Sequence, residues 1–208
     1  MVSSDAGRAP PGRSVLIGRC AAAAALLGGA AWTVKAGVIL ATGDEPSATF
    51  AIGLVLFPFA LLGLWATVRE VRGRATRVGG LLAAVAAVCA VLMLVVRAVG
   101  GEGVEPSEDK ATLLTAFITL AALATVAALI ALGIAARRRS ALPPGYASLP
   151  LTMGLATIPL LVAGAALEGI NERLFELPIA LLGLGWIGLG IALWSAAQQP
   201  APGGHAKP

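Results

Sequence analysis

The sequence predicts an all-α integral membrane protein with six transmembrane helices and both termini in the cytoplasm. Three observations predict this fold class. The chain of 208 residues is 58% hydrophobic and only 12% charged, whereas soluble domains carry about 25% charged residues. Six stretches reach the length of about 20 apolar residues that spans a hydrocarbon core. The connections between these stretches alternate between acidic and basic, which is typical of a chain that crosses a membrane repeatedly.

The six predicted spans occupy most of the chain, so no soluble domain of useful size fits beside them. They lie at residues 15–41, 48–68, 79–99, 111–136, 149–169 and 178–197. Together they form a predicted transmembrane domain over residues 14–198. The flanking segments 1–13 and 199–208 are polar or rich in proline and glycine, and we expect them to be disordered tails in the cytoplasm.

The charges of the connections set the predicted orientation. The first, third and fifth connections are mainly acidic, and the second and fourth are basic. In chain order the charged residues are Asp44 and Glu45; Arg69, Glu70, Arg72, Arg74 and Arg77; Glu102, Glu105, Glu108, Asp109 and Lys110; Arg137, Arg138 and Arg139; and Glu172, Arg173 and Glu176. Lys and Arg are enriched in cytoplasmic loops, so the basic connections and both termini are predicted to lie inside. Arginine outnumbers lysine twelve to three, and alanine and glycine are abundant, which is typical of a GC-rich bacterial genome. We therefore expect the membrane to be a bacterial plasma membrane.

Acidic connections lead into the next helix through an acid and a proline. Examples are Glu45-Pro46 before the second span and Glu176-Leu177-Pro178 before the sixth. Proline suits the first turn of a helix, and an acid is stabilised near the positive end of the helix dipole. We interpret these residues as helix starts and assign them no further role.

Three ionisable residues lie within the predicted spans, near the acidic ends of odd-numbered helices: Lys35, Arg97 and Glu168. Such residues are costly in lipid and usually face a partner, water or the bundle interior. The long side chains of Lys35 and Arg97 can reach the headgroups by snorkelling, whereas the shorter Glu168 cannot reach as far. Three interpretations therefore stand side by side: a charged cluster in the outer leaflet, with Glu168 paired to Lys35 or Arg97; separate snorkelling cations; or binding of an anion or another solute at the outer mouth, which could coexist with pairing.

Pro58 and Pro159 are candidate helix breaks near the middle of the second and fifth spans, each followed five residues later by glycine. Proline removes a backbone donor, and interrupted helices at matching positions mark midplane sites in transporters. The same prolines could merely kink their helices. They fit an inverted repeat of three helices plus three, which competes with a repeat of three two-helix hairpins as the internal symmetry of the chain.

Glycines are concentrated in the sixth span, where Gly183, Gly185, Gly188 and Gly190 occupy two helix faces. The match to G-x-G-x-x-G has no dinucleotide-binding meaning here because no strand precedes it and it lies inside a span. Small residues let helices approach closely in a membrane. We therefore predict that the sixth helix packs against two neighbours and is central to the bundle.

No catalytic, cofactor-binding or metal-binding motif is recognisable in the sequence, and its one histidine, His205, lies in the C-terminal tail. The leading expectation is a non-enzymatic accessory or assembly subunit that acts through helix packing with other membrane proteins or in a homo-oligomer. The alternative is a small-solute transporter with a midplane site near Pro58 and Pro159, and an intramembrane enzyme is a third. We expect contact with the lipid bilayer, no cofactor and no nucleic-acid partner.

Overall fold

The computed structural model of the chain is all-helical and describes residues 11–46, 49–69, 73–100 and 113–198. The helices are α1 (Pro11–Thr42), α2 (Thr49–Val68), α3 (Arg74–Gly100), α4 (Leu113–Arg139), α5 (Leu149–Glu168) and α6 (Glu176–Gln198), with a short 3-10 helix at Glu172–Phe175 before α6. All six are long and apolar enough to cross a membrane. The chain is therefore compatible with a multi-pass integral membrane protein.

Neighbouring helices run antiparallel, as glycine contacts show for several pairs. Gly63 of α2 lies against Ala21 of α1, whereas Gly53, nearer the start of α2, lies against Trp32, further along α1. The ends of α1, α3 and α5 and the starts of α2, α4 and α6 therefore lie at one end of the bundle, which we call the acidic end. The starts of α1, α3 and α5 and the ends of α2, α4 and α6 lie at the other, which we call the basic end.

Five helices form a ring in the order α6, α1, α2, α4 and α5, with each helix contacting the next, and α3 packs outside the ring against α2 and α4. Most of the large side chains that are fully buried, among them Leu61, Leu64, Leu132 and Leu189, come from α2, α4 and α6. Dispersion contacts between such side chains stabilise a bundle in lipid. The core therefore lies between these helices, and the outer face of α3 is apolar and exposed.

Helix boundaries differ from the predicted spans chiefly at the helix starts. α3 begins at Arg74 and α6 at Glu176, upstream of the predicted residues 79 and 178, and α4 continues to Arg139. α1 begins at Pro11, so residues 11–13 of the predicted tail are helical. Polar and basic residues can extend a helix beyond the hydrocarbon region, where hydropathy no longer marks it. The predictions for residues 1–10, for the acids between 101 and 112, and for 199–208 lie outside the described residues.

Candidate functional site

A buried ion cluster joins α1, α6 and the α1–α2 connection at the acidic end. The ammonium Nζ of Lys35 donates to Glu176 Oε1 over 3.0 Å and lies 3.3 Å from Glu45 Oε1. Lys35 and Glu176 are both only 7% exposed, whereas the Glu45 side chain is 65% exposed. We call these three residues the ion cluster. It links the two chain-distant helices by a charge-assisted hydrogen bond, which is stronger than a neutral one.

The register of the α1–α6 contact explains why Lys35 meets Glu176. A Cβ on Gly183 would lie 2.5 Å from Thr33 Oγ1 and 2.9 Å from the Gly29 carbonyl, so the two backbones are nearly in contact there. α1 and α6 are antiparallel, so residues that follow Gly29 on α1 lie opposite residues that precede Gly183 on α6. Lys35 therefore lies opposite the first turn of α6. Glu176 occupies that turn, where the helix dipole favours a carboxylate.

The ion cluster carries an excess of negative charge and an unused acceptor. One ammonium faces two carboxylates, which gives a formal charge of −1 when all three groups are ionised. Glu176 Oε2 is buried and has no hydrogen-bond partner. A buried polar atom without a partner is costly because it loses its hydration without replacement. The arrangement can therefore accept a further hydrogen bond, preferably from a cation.

An aromatic row runs from the ion cluster toward the middle of the bundle. Lys35 Nζ lies 5.9 Å from the centroid of Phe50, and Phe50 stacks on Trp32. Trp32 meets Phe57 edge to face at 5.0 Å, and Phe57 stacks on Trp186 at 4.1 Å with 7° between the ring planes. Such ring pairs contribute beyond the area that they bury. The row couples α1, α2 and α6 into one packed unit.

A cavity of about 420 Å³ lies beside this aromatic row, bounded by α1, α2, α4, α5 and α6. Its wall includes Trp32, Phe57 and Trp186 on one side and Thr125 and Thr157 on the other. Four of these residues lie near the middle of their helices: Phe57, Thr125, Thr157 and Trp186. The volume falls in the range of small-molecule sites, about 300–1,000 Å³.

The cavity opens to the outside of the bundle between α4 and α5. Leu123, Ile158 and Leu161 line it and are also exposed on the outside of the bundle. α4 and α5 approach closely at the basic end, where a Cβ on Gly133 would clash with the backbone of Leu151. Toward the acidic end α5 packs instead on the 3-10 helix and the start of α6, through Gly164. The two helices therefore enclose a cleft.

Within the part of the chain that the structure describes, the cavity wall is apolar apart from Thr125, Thr157 and the indoles of Trp32 and Trp186, and no charged residue lines it. The Trp32 indole N–H donates to the Phe50 carbonyl. Thr157 Oγ1 donates to the Met153 carbonyl over 2.8 Å, which leaves its lone pairs as acceptors. Apolar cavities stay dry and take up apolar molecules. The chemistry that this geometry supports is binding of a hydrophobic molecule.

The structure does not bring together the three ionisable residues that the sequence analysis singled out, Lys35, Arg97 and Glu168. The ion pairs of Lys35 are with Glu45 and Glu176, not with Glu168 as one interpretation held. Glu168 is exposed in the last residue of α5, and Arg97 is exposed in the last turn of α3. Lys35 is buried, so it does not snorkel to solvent.

The candidate helix breaks lie inside continuous helices. α2 runs through Pro58 and α5 through Pro159, because backbone groups freed by proline can be satisfied locally or by neighbouring helices. Pro58 is buried and Pro159 is exposed. Their chain neighbours Phe57 and Ile158 both line the cavity, whereas the prolines themselves are not among its lining residues. A transport site near Pro58 and Pro159 stays a prediction.

The helix-packing glycines of α6 contact helices of the same chain. Gly183 lies against Gly29 and Thr33, and Gly190 against Ala22 and Leu26, all on α1; Gly185 faces Met153 and Gly188 faces Leu149, both on α5. The two glycine faces thus serve two neighbours, and α6 lies between α1 and α5.

The sequence analysis missed Glu176 as a partner of Lys35 and missed the aromatic row. Glu176 was interpreted only as a helix start, because its burial depends on the register between α1 and α6. One signal was available: a buried lysine near the acidic end needs a carboxylate, and Glu45 and Glu176 were two of the few candidates. The rings of the row are far apart in sequence, and no local periodicity connects them.

Comparisons of the chain with protein-family models, with curated proteins and with solved structures find no match.

Proposed function

We propose that the protein is a non-enzymatic membrane carrier that binds a small hydrophobic molecule in the cavity between α2, α4 and α5. The supporting observation is the position of the cavity. It lies midway along the helices, it opens to lipid at Leu123 and Ile158, and Phe57 and Ile158 lie beside the two mid-helix prolines. Carrier sites are commonly found at this depth.

The apolar wall determines what the cavity holds. A polar solute would lose its hydration and find only the two threonine hydroxyls and the indoles as partners, at a cost of several kcal/mol. A hydrophobic molecule entering from the bilayer loses little. It gains dispersion contacts with the aromatic rings and the aliphatic side chains that line the cavity.

We place the carrier in a bacterial plasma membrane with the basic end in the cytoplasm, on the strength of the loop charges and the arginine-rich composition. Alkaline phosphatase fused after Gln198 should then be inactive, since that enzyme matures only outside the cytoplasm. An active fusion would show that the basic end lies outside the cytoplasm.

The accessory-subunit alternative has less support. This alternative was based on glycine-rich helix faces that a partner helix could contact. The α6 glycines already contact α1 and α5 of the same chain. Binding of a partner helix in the α4–α5 cleft would support the accessory-subunit alternative. Its signature is co-purification of a stoichiometric membrane protein together with loss of ligand binding in the assembled complex.

The test of the carrier proposal is binding of biphenyl to the purified protein in maltoside micelles, measured as a rise in the unfolding temperature. A ligand that binds only the folded protein raises its stability by about 2.7 kcal/mol at a hundredfold excess over Kd. Ala127→Phe fills the cavity from α4, and Ala116→Phe adds the same ring on an exposed position of α4 outside the cavity. We expect the rise in the wild type and in Ala116→Phe but not in Ala127→Phe. An equal response in all three would show that biphenyl acts through the micelle and would overturn the proposal.

A further inference from the structure

We infer that the ion cluster and the cavity together form one site for a hydrophobic primary ammonium compound, with its apolar body in the cavity and its ammonium on Glu176. This inference rests on the proposed function, since it takes the cavity as the ligand site. It adds the charge class and the residue that would select it.

The first step is the position of the ion cluster relative to the cavity. Ile179 lines the cavity and follows Glu176 by three residues on α6, while Trp32 lines it and precedes Lys35 by three residues on α1. Residues three apart lie on the same face of a helix, about 4.5 Å along its axis. The ion cluster therefore stands one turn above the cavity, at its acidic end.

The second step is the charge balance around Glu176. Lys35 occupies Oε1, and Oε2 is buried without a partner. The nearby connections add Asp44 and Glu172, both exposed, and Arg173, whose guanidinium lies over Gly43. Counting these with the ion cluster gives two cations against four carboxylates, a formal charge of −2. An anionic head group would be repelled here, whereas an ammonium could bond Oε2 while Lys35 keeps Oε1.

The third step is the aromatic wall. Trp32, Phe57 and Trp186 line the cavity, and the faces of aromatic rings attract cations, tryptophan most strongly. Thr157 offers acceptor lone pairs because its own hydrogen is donated to the Met153 carbonyl. The ring faces and the Thr157 lone pairs therefore favour a positive charge, and among the described residues no Lys or Arg lines the wall to oppose it.

The experiment uses three probes that share the biphenyl body and differ in the head group: 4-phenylbenzylamine, 4-phenylbenzyl alcohol and 4-phenylbenzoate. Binding to the full-length protein in maltoside micelles is measured at pH 7 by the shift of the unfolding temperature over a range of probe concentrations. We expect the amine to bind at least about tenfold more tightly than the alcohol, as a hydrogen bond to a charged group allows. The benzoate should bind most weakly.

Glu176→Gln should remove the advantage of the amine and leave biphenyl binding unchanged, which shows at the same time that the cavity is intact. The matched control is Glu168→Gln, an exposed glutamate at the same end of the bundle, and it should retain the full preference. If Glu176→Gln does not fold, Glu45→Gln removes the exposed carboxylate of the ion cluster and should lower the amine affinity about threefold.

Two results would overturn the inference while leaving the carrier proposal standing. In the first, biphenyl binds but the amine has no advantage over the alcohol. In the second, the full advantage of the amine is retained in Glu176→Gln, or is undiminished in Glu45→Gln where that variant takes its place. Absence of biphenyl binding to the wild-type protein would instead overturn the carrier proposal and the inference with it.

Discussion

The α1–α6 contact and the α4–α5 pair are both antiparallel helix pairs, and they are packed in opposite ways. α1 and α6 contact each other from Gly18 and Ala197 at the basic end to Lys35 and Glu176 at the acidic end. α4 and α5 meet closely only near Gly133 and Gly154, and the cavity separates them beyond. The difference teaches that the position of small residues decides where a bundle closes and where it stays open.

The α1–α6 contact and the α4–α5 cleft also differ in the chemistry of their side chains. The α1–α6 contact is closed by an ion pair between buried groups, whereas exposed apolar side chains such as Leu120, Leu123 and Ile158 flank the α4–α5 cleft. One region is suited to hold the fold, and the other to admit a ligand. Substitutions should therefore have large effects on stability in the first region and small effects in the second.

The largest effect is expected from Lys35→Met, which leaves Glu176 buried without its counter-charge. Removing one partner of a buried pair costs about 3–5 kcal/mol. The measurement is reversible unfolding in mixed micelles, followed by far-UV circular dichroism. Adding Glu176→Gln to Lys35→Met should recover most of the loss, because no unpaired buried charge remains. The single change Glu168→Gln should alter the free energy of unfolding by less than about 0.5 kcal/mol. A double mutant whose loss equals the sum of the losses in Lys35→Met and Glu176→Gln would show that the two residues act independently.

A smaller loss, about 1–3 kcal/mol from overpacking, is expected from Gly29→Ala. The added Cβ would lie 2.6 Å from the Gly183 carbonyl oxygen and 2.8 Å from the Ile187 amide nitrogen, both of them backbone atoms that cannot move aside singly. Gly37→Ala on the same helix is the control, since nothing lies within 4 Å of its Cβ position. The same unfolding assay should show Gly37→Ala unchanged or slightly stabilised. Equal behaviour of the two variants would mean that α1 and α6 are further apart than the structure has them.

The smallest effect is expected in the cleft. Ala127→Leu adds three carbons beside an existing cavity, so the free energy of unfolding should stay within about 0.5 kcal/mol of the wild type or rise slightly. Ala22→Leu makes the same addition on α1, where Ala22 is fully buried and its carbonyl lies 3.0 Å from the Cβ position of Gly190. It should cost about 1–3 kcal/mol. If Ala127→Leu and Ala22→Leu lower the free energy of unfolding by similar amounts, the two regions do not differ in packing as described.

The six apolar helices were predictable from the sequence because each is a local property: about 20 apolar residues in a row between polar connections. The two-sided packing of α6 was also predictable, since Gly183 and Gly190 share one face of that helix and Gly185 and Gly188 share another. Helix starts such as Arg74 were not, because the first turns extend into the polar connections, where hydropathy is uninformative.

The ion cluster and the cavity were only partly predictable. Lys35 stands out because a cation in an apolar span needs compensation, but the choice of Glu176 over Glu168 depends on the register of α1 against α6. The sequence predicted a solute site near Pro58 and Pro159 on the assumption of broken helices, yet both helices continue through their prolines. The opening arises instead where α4 and α5 diverge, a property of helix pairs that no single segment encodes.

Xenon binding tests the central claim, an accessible apolar cavity in the middle of the bundle, most directly. Xenon occupies dry apolar cavities, and crystals of the protein pressurised with the gas would reveal it by anomalous scattering. The account predicts a xenon peak bounded by Thr125, Thr157 and Trp186, and its loss in Ala127→Phe. Xenon peaks confined to the lipid-facing surface, with α4 and α5 closed on each other at Thr157, would contradict it.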